Sequence, residues 1–483
     1  MPSKDLLGAA LLVAATFGGI FITCLSKRAR DLAFFAMVAG TALAEKLSIN
    51  FASAYWYRGS TRGFEVTALD VLAISILISA SLAREPNQRG WYWPAGLGVM
   101  LFYFLYCCGA VALAEPKIFG LFELSKILRG ILFFLAAAIY VRSERELGIL
   151  VFALSSAICF EGVLCLKQRF LSGVYRVTGT MDHPNSLSMY ICTAAPVLAA
   201  AGAALDLPKF LRWFCYLGVS VAAVIIVLTI SRAGIPIFAL TVFGAVVFCM
   251  SWKVTPQKIG GGLLAALFTA ALLAKSWNTL QVRFSSATLE EEYMEEHLEN
   301  RGQYLRQAKV LLDERFFGVG LNNWSYWVSK TYGARIGLSY EDYDDIEYQP
   351  SKEVLPSYQY APPAHNLGAL TAGELGAPGL LVFGLVWLRW LQIGAGFLWR
   401  RSSAAIRQVG VGIFFGVCAA FLQSLFEWVF RQTQIFLLFH VLIGVLASLY
   451  WRKKQSKLPQ RARRNLRLSK VGAPLVEPAP SFR

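Results

Sequence analysis

The chain has 483 residues, 56% of them hydrophobic and only 16% charged, with a mean hydropathy of +0.51. Soluble domains carry about 25% charged residues, so this composition excludes an ordinary water-soluble domain and indicates a polytopic helical membrane protein. The formal net charge is +16, but its distribution argues against nucleic acid. From Arg452 to the end there are ten basic residues against the single acid Glu477, with no aromatics interleaved for base stacking. Such a tail suits anionic lipid headgroups, which makes the bilayer the expected partner.

Apolar stretches near the roughly 20 residues needed to cross a bilayer recur along the chain. They predict an all-α bundle of about 12–13 transmembrane helices, with spans at 6–24, 31–47, 66–82, 94–113, 120–141, 147–167, 187–204, 210–230, 234–251, 259–277, 366–388, 406–430 and 433–451. Lys27, Arg28 and Arg30 follow the first span, whereas only Lys4 and Asp5 precede it. That bias predicts an outside N-terminus and no cleaved signal peptide. Continued alternation puts Arg142/Arg145, Lys209/Arg212, Lys253/Lys258 and the C-terminal tail in the cytoplasm. The expected organisation is therefore N-terminal helices over 1–165 and central helices over 166–277, with external connections at 168–186 and 231–234. A periplasmic loop over 278–365, C-terminal helices over 366–451 and a basic cytoplasmic tail over 452–483, expected to be disordered, complete it. The nine cysteines all fall in or at the edge of spans, where cysteine serves as a small apolar residue.

Two short connections on the external side carry unusual polar content. RFLSGVYRVTGTMDHPNS, residues 169–186, holds Arg176, His183 and Asn185, and TISRAGIP holds Arg232 between two apolar runs. Residues 278–363 then break the membrane rhythm with 14 acidic and 8 basic side chains. A segment of that length without a role is uncommon. It is predicted to form a lid of short helices, including one in which Leu305, Ala308, Leu311 and Leu312 mark an apolar face. Arg301 lies near its start. The lid returns through Pro362 and Pro363 into HNLGALTAGELGAPG, where His365 stands at the start of a span and Glu374 inside it. Ionisable groups in membrane helices are costly and call for a job or a partner.

The elements GTMDHPN, SRAG, RGQYLRQAKVLLDERFFGVGLNNW and HNLGALTAGELGAPG occur in the order seen in the O-antigen ligase and polymerase superfamily, which the chain resembles over residues from about 165 to 450. The last element matches that family's pattern of His, a polar residue, nine residues and Gly-x-x-Gly as His365, Asn366, Gly376 and Gly379. YWYRGSTRGFEVTALD, residues 55–70, also looks like an external loop and following span of some members. The resemblance implies an all-helical enzyme of the bacterial inner membrane with its site facing the periplasm. Such enzymes pass a glycan from undecaprenyl diphosphate to a hydroxyl on a lipid A-core acceptor (ligase) or on another lipid-linked glycan (O-antigen or exopolysaccharide polymerase). They are thought to need neither metal nor nucleotide cofactor. It also implies His365 as general base and Arg232 and Arg301 as the grip on the diphosphate.

The residue types suit that chemistry. A sugar hydroxyl is a poor nucleophile, and a positioned base helps remove its proton. Guanidinium groups offer bidentate donors to phosphate oxygens and stay charged in partly apolar surroundings. Direct attack at the anomeric carbon inverts configuration. Asn366, Arg176, His183 and Asn185 are candidate substrate contacts. Glu374, nine residues after His365 and off its face, is expected to pair with another part of the bundle through an arginine. Gly376 and Gly379 are expected to allow close helix approach, and Gly376-Ala-Pro378 to kink the span. Other readings of the same residues are a capping role for His365, a snorkelling interface role for Arg232 and a simple pairing of Arg301 with Glu299. A lipid-linked oligosaccharide transporter is the alternative from another class, although transporters place their charges at the membrane midplane on broken helices.

Overall fold

Helices form here where small and branched apolar residues run without interruption, and they end where charge, glycine or proline gathers. The computed structural model describes residues 3–82, 92–250, helical positions scattered between 267 and 285, and residues 301–341, 343, 360–399 and 402–456. Among these lie fourteen α-helices: α1 (Ser3–Leu25), α2 (Lys27–Ala39), α3 (Ala68–Leu82), α4 (Leu97–Leu113), α5 (Lys117–Tyr140), α6 (Glu144–Leu166), α7 (Pro184–Gly202), α8 (Lys209–Thr229), α9 (Gly234–Cys249), α10 (Arg301–Glu314), α11 (Trp324–Trp327), α12 (Leu367–Ala395), α13 (Ala405–Ser424) and α14 (Thr433–Ser456). By length and composition, five helical stretches can cross a membrane: Glu144–Leu171, Lys209–Thr229, Leu367–Ala395, Ala405–Ser424 and Thr433–Lys454. Shorter apolar helices at Ala10–Leu25, Ala68–Leu82, Leu97–Leu113 and Gly234–Cys249 accompany them. The predicted span over 259–277, most of the tail and both acidic runs fall largely or wholly outside the described residues.

The chain is not purely α-helical. Strands β1 (Ser48–Phe51) and β2 (Phe64–Thr67) form an antiparallel pair in which Ser48 faces Thr67 and Phe51 faces Phe64. Ile49, Phe51, Phe64, Val66 and Thr67 are aromatic or β-branched, which suits a pleated, half-buried ribbon. The span expected at 31–47 is also shorter than predicted. α2 stops at Ala39 and a single 3-10 turn, Gly40–Leu43, follows it. Asp31 accepts a hydrogen bond from Tyr140 at 2.7 Å and is paired with Arg145, so the start of α2 lies at a polar boundary.

Interior helices carry small residues. From Ser186 to Gly202 every residue of α7 is buried, as expected of a helix that is apolar all round. α13 reaches it through glycine: a Cβ at Gly412 would lie 2.6 Å from Val197 Cα, and one at Gly416 would lie 2.4 Å from the Thr193 carbonyl oxygen. Backbones this close give the packing that small residues permit between membrane helices.

α12 is broken. Gly376 adopts φ 72° and ψ −175°, and Pro378 follows it. The break exposes backbone groups, and an outlying segment completes them: Val319 N donates to Gly373 O at 3.0 Å, Gly320 N to Glu374 O at 2.8 Å, and Ala377 N to Phe316 O at 3.1 Å. A Cβ at Gly376 would stand 2.1 Å from the Phe316 carbonyl oxygen. Gly376→Ala is therefore expected to lower stability by about 1–3 kcal/mol through the left-handed backbone and this clash. Gly384→Ala, where a Cβ meets nothing within 4 Å, should leave the melting temperature in detergent unchanged or raise it slightly. Equal melting of the two variants would contradict this account.

Candidate active site

His365 comes immediately before the cap of α12. Asn366 is that cap: its side-chain oxygen accepts from Ala369 N at 2.9 Å, and its amide donates to Leu425 O at 2.7 Å. The two bonds fix the entry of the helix and hold it against the end of α13. The His365 side chain is 36% exposed, and its Nδ1 lies 2.9 Å from Oε2 of Glu427, whose own side chain is 3% exposed. A carboxylate accepts, so Nδ1 carries a proton, and in the neutral ring the lone pair is on Nε2.

Glu427 is held from its other side as well. Oε1 accepts from Asn185 Nδ2 at 2.6 Å, and Asn185 Oδ1 accepts from Arg176 Nη2 at 3.2 Å. Arg176 Nε donates to Thr229 O at 3.1 Å, which ties the chain to the end of α8. His183 caps α7, its Nδ1 accepting from Asn185 N at 3.1 Å. Partial burial lowers the His183 pKa; Arg176 and His365 act in the same direction and Glu427 opposes them. The Tyr304 ring of α10 packs 5.5 Å from the His365 ring.

Of the residues singled out in the sequence, His365, Asn366, Arg176, His183 and Asn185 thus converge. Arg176 and Asn185 bind Glu427 through an unbroken hydrogen-bond chain. Arg232 is half-buried in the turn between α8 and α9, three residues after Thr229. Arg301 opens α10, the helix that brings Tyr304 to His365, and its side chain lies outside the described residues. Gly379 faces Tyr106 of α4, where a Cβ would lie 2.9 Å from the ring. Gly376 meets the turn at Phe316–Phe317 and not a helix–helix seam. Sequence reading missed Glu427 and Tyr304. Glu427 was absorbed into the apolar span 406–430, whereas α13 ends at Ser424 and residues 425–432 form turns. The clustering of Glu427, Arg431 and Gln432 in that stretch was the available signal.

Glu374 has its arginine. Arg431 Nη1 lies 2.6 Å from Glu374 Oε2, with both side chains almost fully buried. Around the pair, Lys126 Nζ donates to Arg431 O at 2.6 Å and lies 3.5 Å from Glu123. Ser60 Oγ donates to Glu123 Oε2 at 3.1 Å and lies 3.0 Å from Asn322 Oδ1, and Asn322 Nδ2 donates to Thr61 O at 2.8 Å and Phe119 O at 2.9 Å. Next to this cluster a small apolar cavity is lined by Leu367, Tyr103, Trp387, Phe439, His440 and Arg431, among others.

No protein-family model matches the chain, and no curated protein matches it. The site is therefore read from its own geometry. Among the described residues, no group of three or more His, Cys, Asp or Glu is placed to hold a metal ion.

Two measurements probe this region. Arg431→Met removes the cation between buried carboxylates and should cost about 3–5 kcal/mol, because an uncompensated buried charge remains. Adding Glu374→Leu should recover part of that loss; a double variant no more stable than Arg431→Met would argue against the pairing. On the rim, Glu45 Oε2 accepts from Gln434 Nε2 at 2.6 Å, and Asp182, the residue before His183, lies 3.6 Å from Lys46. Burial, followed by the neighbouring Asp182, raises the Glu45 carboxyl from 4.5 to about 7. The folded state thus keeps a proton that the unfolded chain releases near 4.5, so this group's contribution to stability is present below that pH and lost as pH rises through about 7. Glu45→Gln should flatten the decline in melting temperature across that interval.

Proposed function

We propose that this chain is a membrane glycosyltransferase that moves a glycan from an undecaprenyl diphosphate carrier to an acceptor hydroxyl, with His365 as the general base. The observation that carries the reading is the His365–Glu427 pair: Nδ1 is held on a buried carboxylate and the ring is accessible, so Nε2 can take a proton. The acceptor hydroxyl donates to Nε2 as its oxygen attacks the anomeric carbon from the face opposite the diphosphate. The bond to the diphosphate oxygen breaks, the diphosphate leaves with the electron pair, and configuration inverts. Glu427 offsets the charge that develops on the imidazole, as a buried carboxylate does behind a catalytic histidine.

Arg232 and Arg301 are the proposed grip on the diphosphate, whose negative charge grows as the bond breaks. The turn carrying Arg232 and the start of the helix carrying Arg301 are both linked through short structural steps to the His365 cluster. The acceptor we favour is a lipid A-core hydroxyl, in a periplasm-facing site of the bacterial inner membrane. A polymerase would use the same base on another lipid-linked glycan, and reconstitution with both acceptors separates the two.

In proteoliposomes supplied with lipid-linked donor, His365→Ala should lower transfer by about 10²-fold or more, the usual scale of a general base. Glu427→Gln should lower kcat with little change in KM, because it supports the base and does not bind substrate. Undiminished transfer by His365→Ala would remove the base assignment. Loss of donor translocation in place of transfer would favour the transporter reading.

A further inference from the structure

The break in α12 divides that helix into two environments. Before it, Leu367 and the residues from Ala369 to Gly376 are buried within the protein. After it, Leu381, Leu385 and Leu388 point outward in a helical stripe. The nineteen residues from Ala377 to Ala395 rise about 28 Å, close to the roughly 30 Å of a bilayer's hydrocarbon core. The lipid-facing part of α12 therefore begins at the break.

The segment that fills the break comes from outside the bundle and has an apolar tip. Phe316 and Phe317 are 60% and 66% exposed, with their rings edge to face at 5.2 Å. Ala377 N binds the Phe316 carbonyl, and a Cβ on Gly376 would sit 2.6 Å from Phe317 Cα, so the pair is fixed at the level of the break. Tyr106 of α4 marks the same level by donating to Leu375 O at 2.8 Å. Seven residues further along α4, about 10 Å closer to the His365 end, Leu113 is 88% exposed. Exposed apolar surface thus continues past the Phe316–Phe317 level on the neighbouring helix.

We propose that Phe316 and Phe317 are inserted into the lipid of the leaflet nearest His365, as an anchor holding the segment after α10 in the membrane. Part of the turn's backbone is bound within the protein, which lowers the cost of holding irregular chain at membrane depth: Phe316 O by Ala377 N, Arg315 N by Leu311 O, and Gly318 N by Arg315 O. Its charged neighbour is drawn aside, since the Arg315 guanidinium lies 5.6 Å over the Trp327 ring and Trp327 Nε1 donates to Glu115 O. An indole with one polar edge suits the headgroup boundary. The inference stands on the membrane-spanning character of α12 and does not depend on the proposed reaction.

The test is photocrosslinking of the full-length protein in phosphatidylethanolamine and phosphatidylglycerol nanodiscs. p-Benzoylphenylalanine is placed singly at 316 and 317, at Leu381 as a lipid-facing reference, and at exposed Arg335 as a reference off the bilayer. Phospholipid adducts at 316 or 317 in yield comparable to 381, and far above 335, are expected. Yields at both positions as low as at 335, with 381 labelled normally, would overturn the proposal. Adducts to a second protein copy in place of lipid would overturn it too, by assigning the pair to a protein contact. Elution of each variant as a single species establishes that the folded form is sampled.

Discussion

The interaction on which this structure most depends is the completion of a broken helix by chain from elsewhere. At Gly376 the α12 ladder is interrupted inside the protein, and unsatisfied backbone groups there carry a heavy desolvation penalty. The turn from Phe316 to Gly320 supplies donors to Gly373 and Glu374 and an acceptor to Ala377. Because that turn directly follows α10, the position of α10 relative to α12 is set by backbone hydrogen bonds as well as by side-chain packing. Tyr304 reaches His365 as a result of that placement.

The buried charges secure the same junction. Arg431 binds the side chain of Glu374, whose carbonyl and that of Gly373 are the two that the turn engages, while Lys126 binds the Arg431 carbonyl from α5. Asn322, two residues after Gly320, reaches the loop before β2 and the start of α5. Five separate parts of the sequence therefore meet at one point. An ion pair so deeply buried is weak evidence of stabilisation in its own right, since desolvation offsets much of the attraction. Its value is geometric: Arg431 is paired with Glu374 while Lys126 ties Glu123 to the Arg431 carbonyl, so the charges hold one another in place.

Much of this was legible in the sequence, and for identifiable reasons. Long apolar runs announced the helices, the Gly-Ala-Pro sequence at 376–378 announced the kink, and the cost of burying Glu374 pointed to a partner elsewhere in the bundle, such as an arginine. The convergence of residues 176–185 with His365 followed from counting spans. What escaped was information held in single residues within apolar surroundings. Glu427 sits in SLFEWVF, where hydropathy averages over it, and the hairpin at 48–67 was too short and too close to α3 to separate from a span. Ribbon pairing and carboxylate–imidazole pairing are long-range contacts, and local periodicity contains no record of either.

Glu427 and Arg431 lie four residues apart on the same turn and face different tasks. Glu427 points to His365 and Asn185, and Arg431 points to Glu374 and the break. A turn that carries both cannot move one without moving the other. The short 3-10 segment Val429–Arg431, with Phe430 packed against Trp387 and Phe439, gives it little freedom to flex. The imidazole is thus oriented by a carboxylate whose own place is set by an ion pair in the protein interior. Precision at the mouth of the bundle is inherited from rigidity beneath it, which explains why a chain with so few charged residues would keep several where they are hardest to bury.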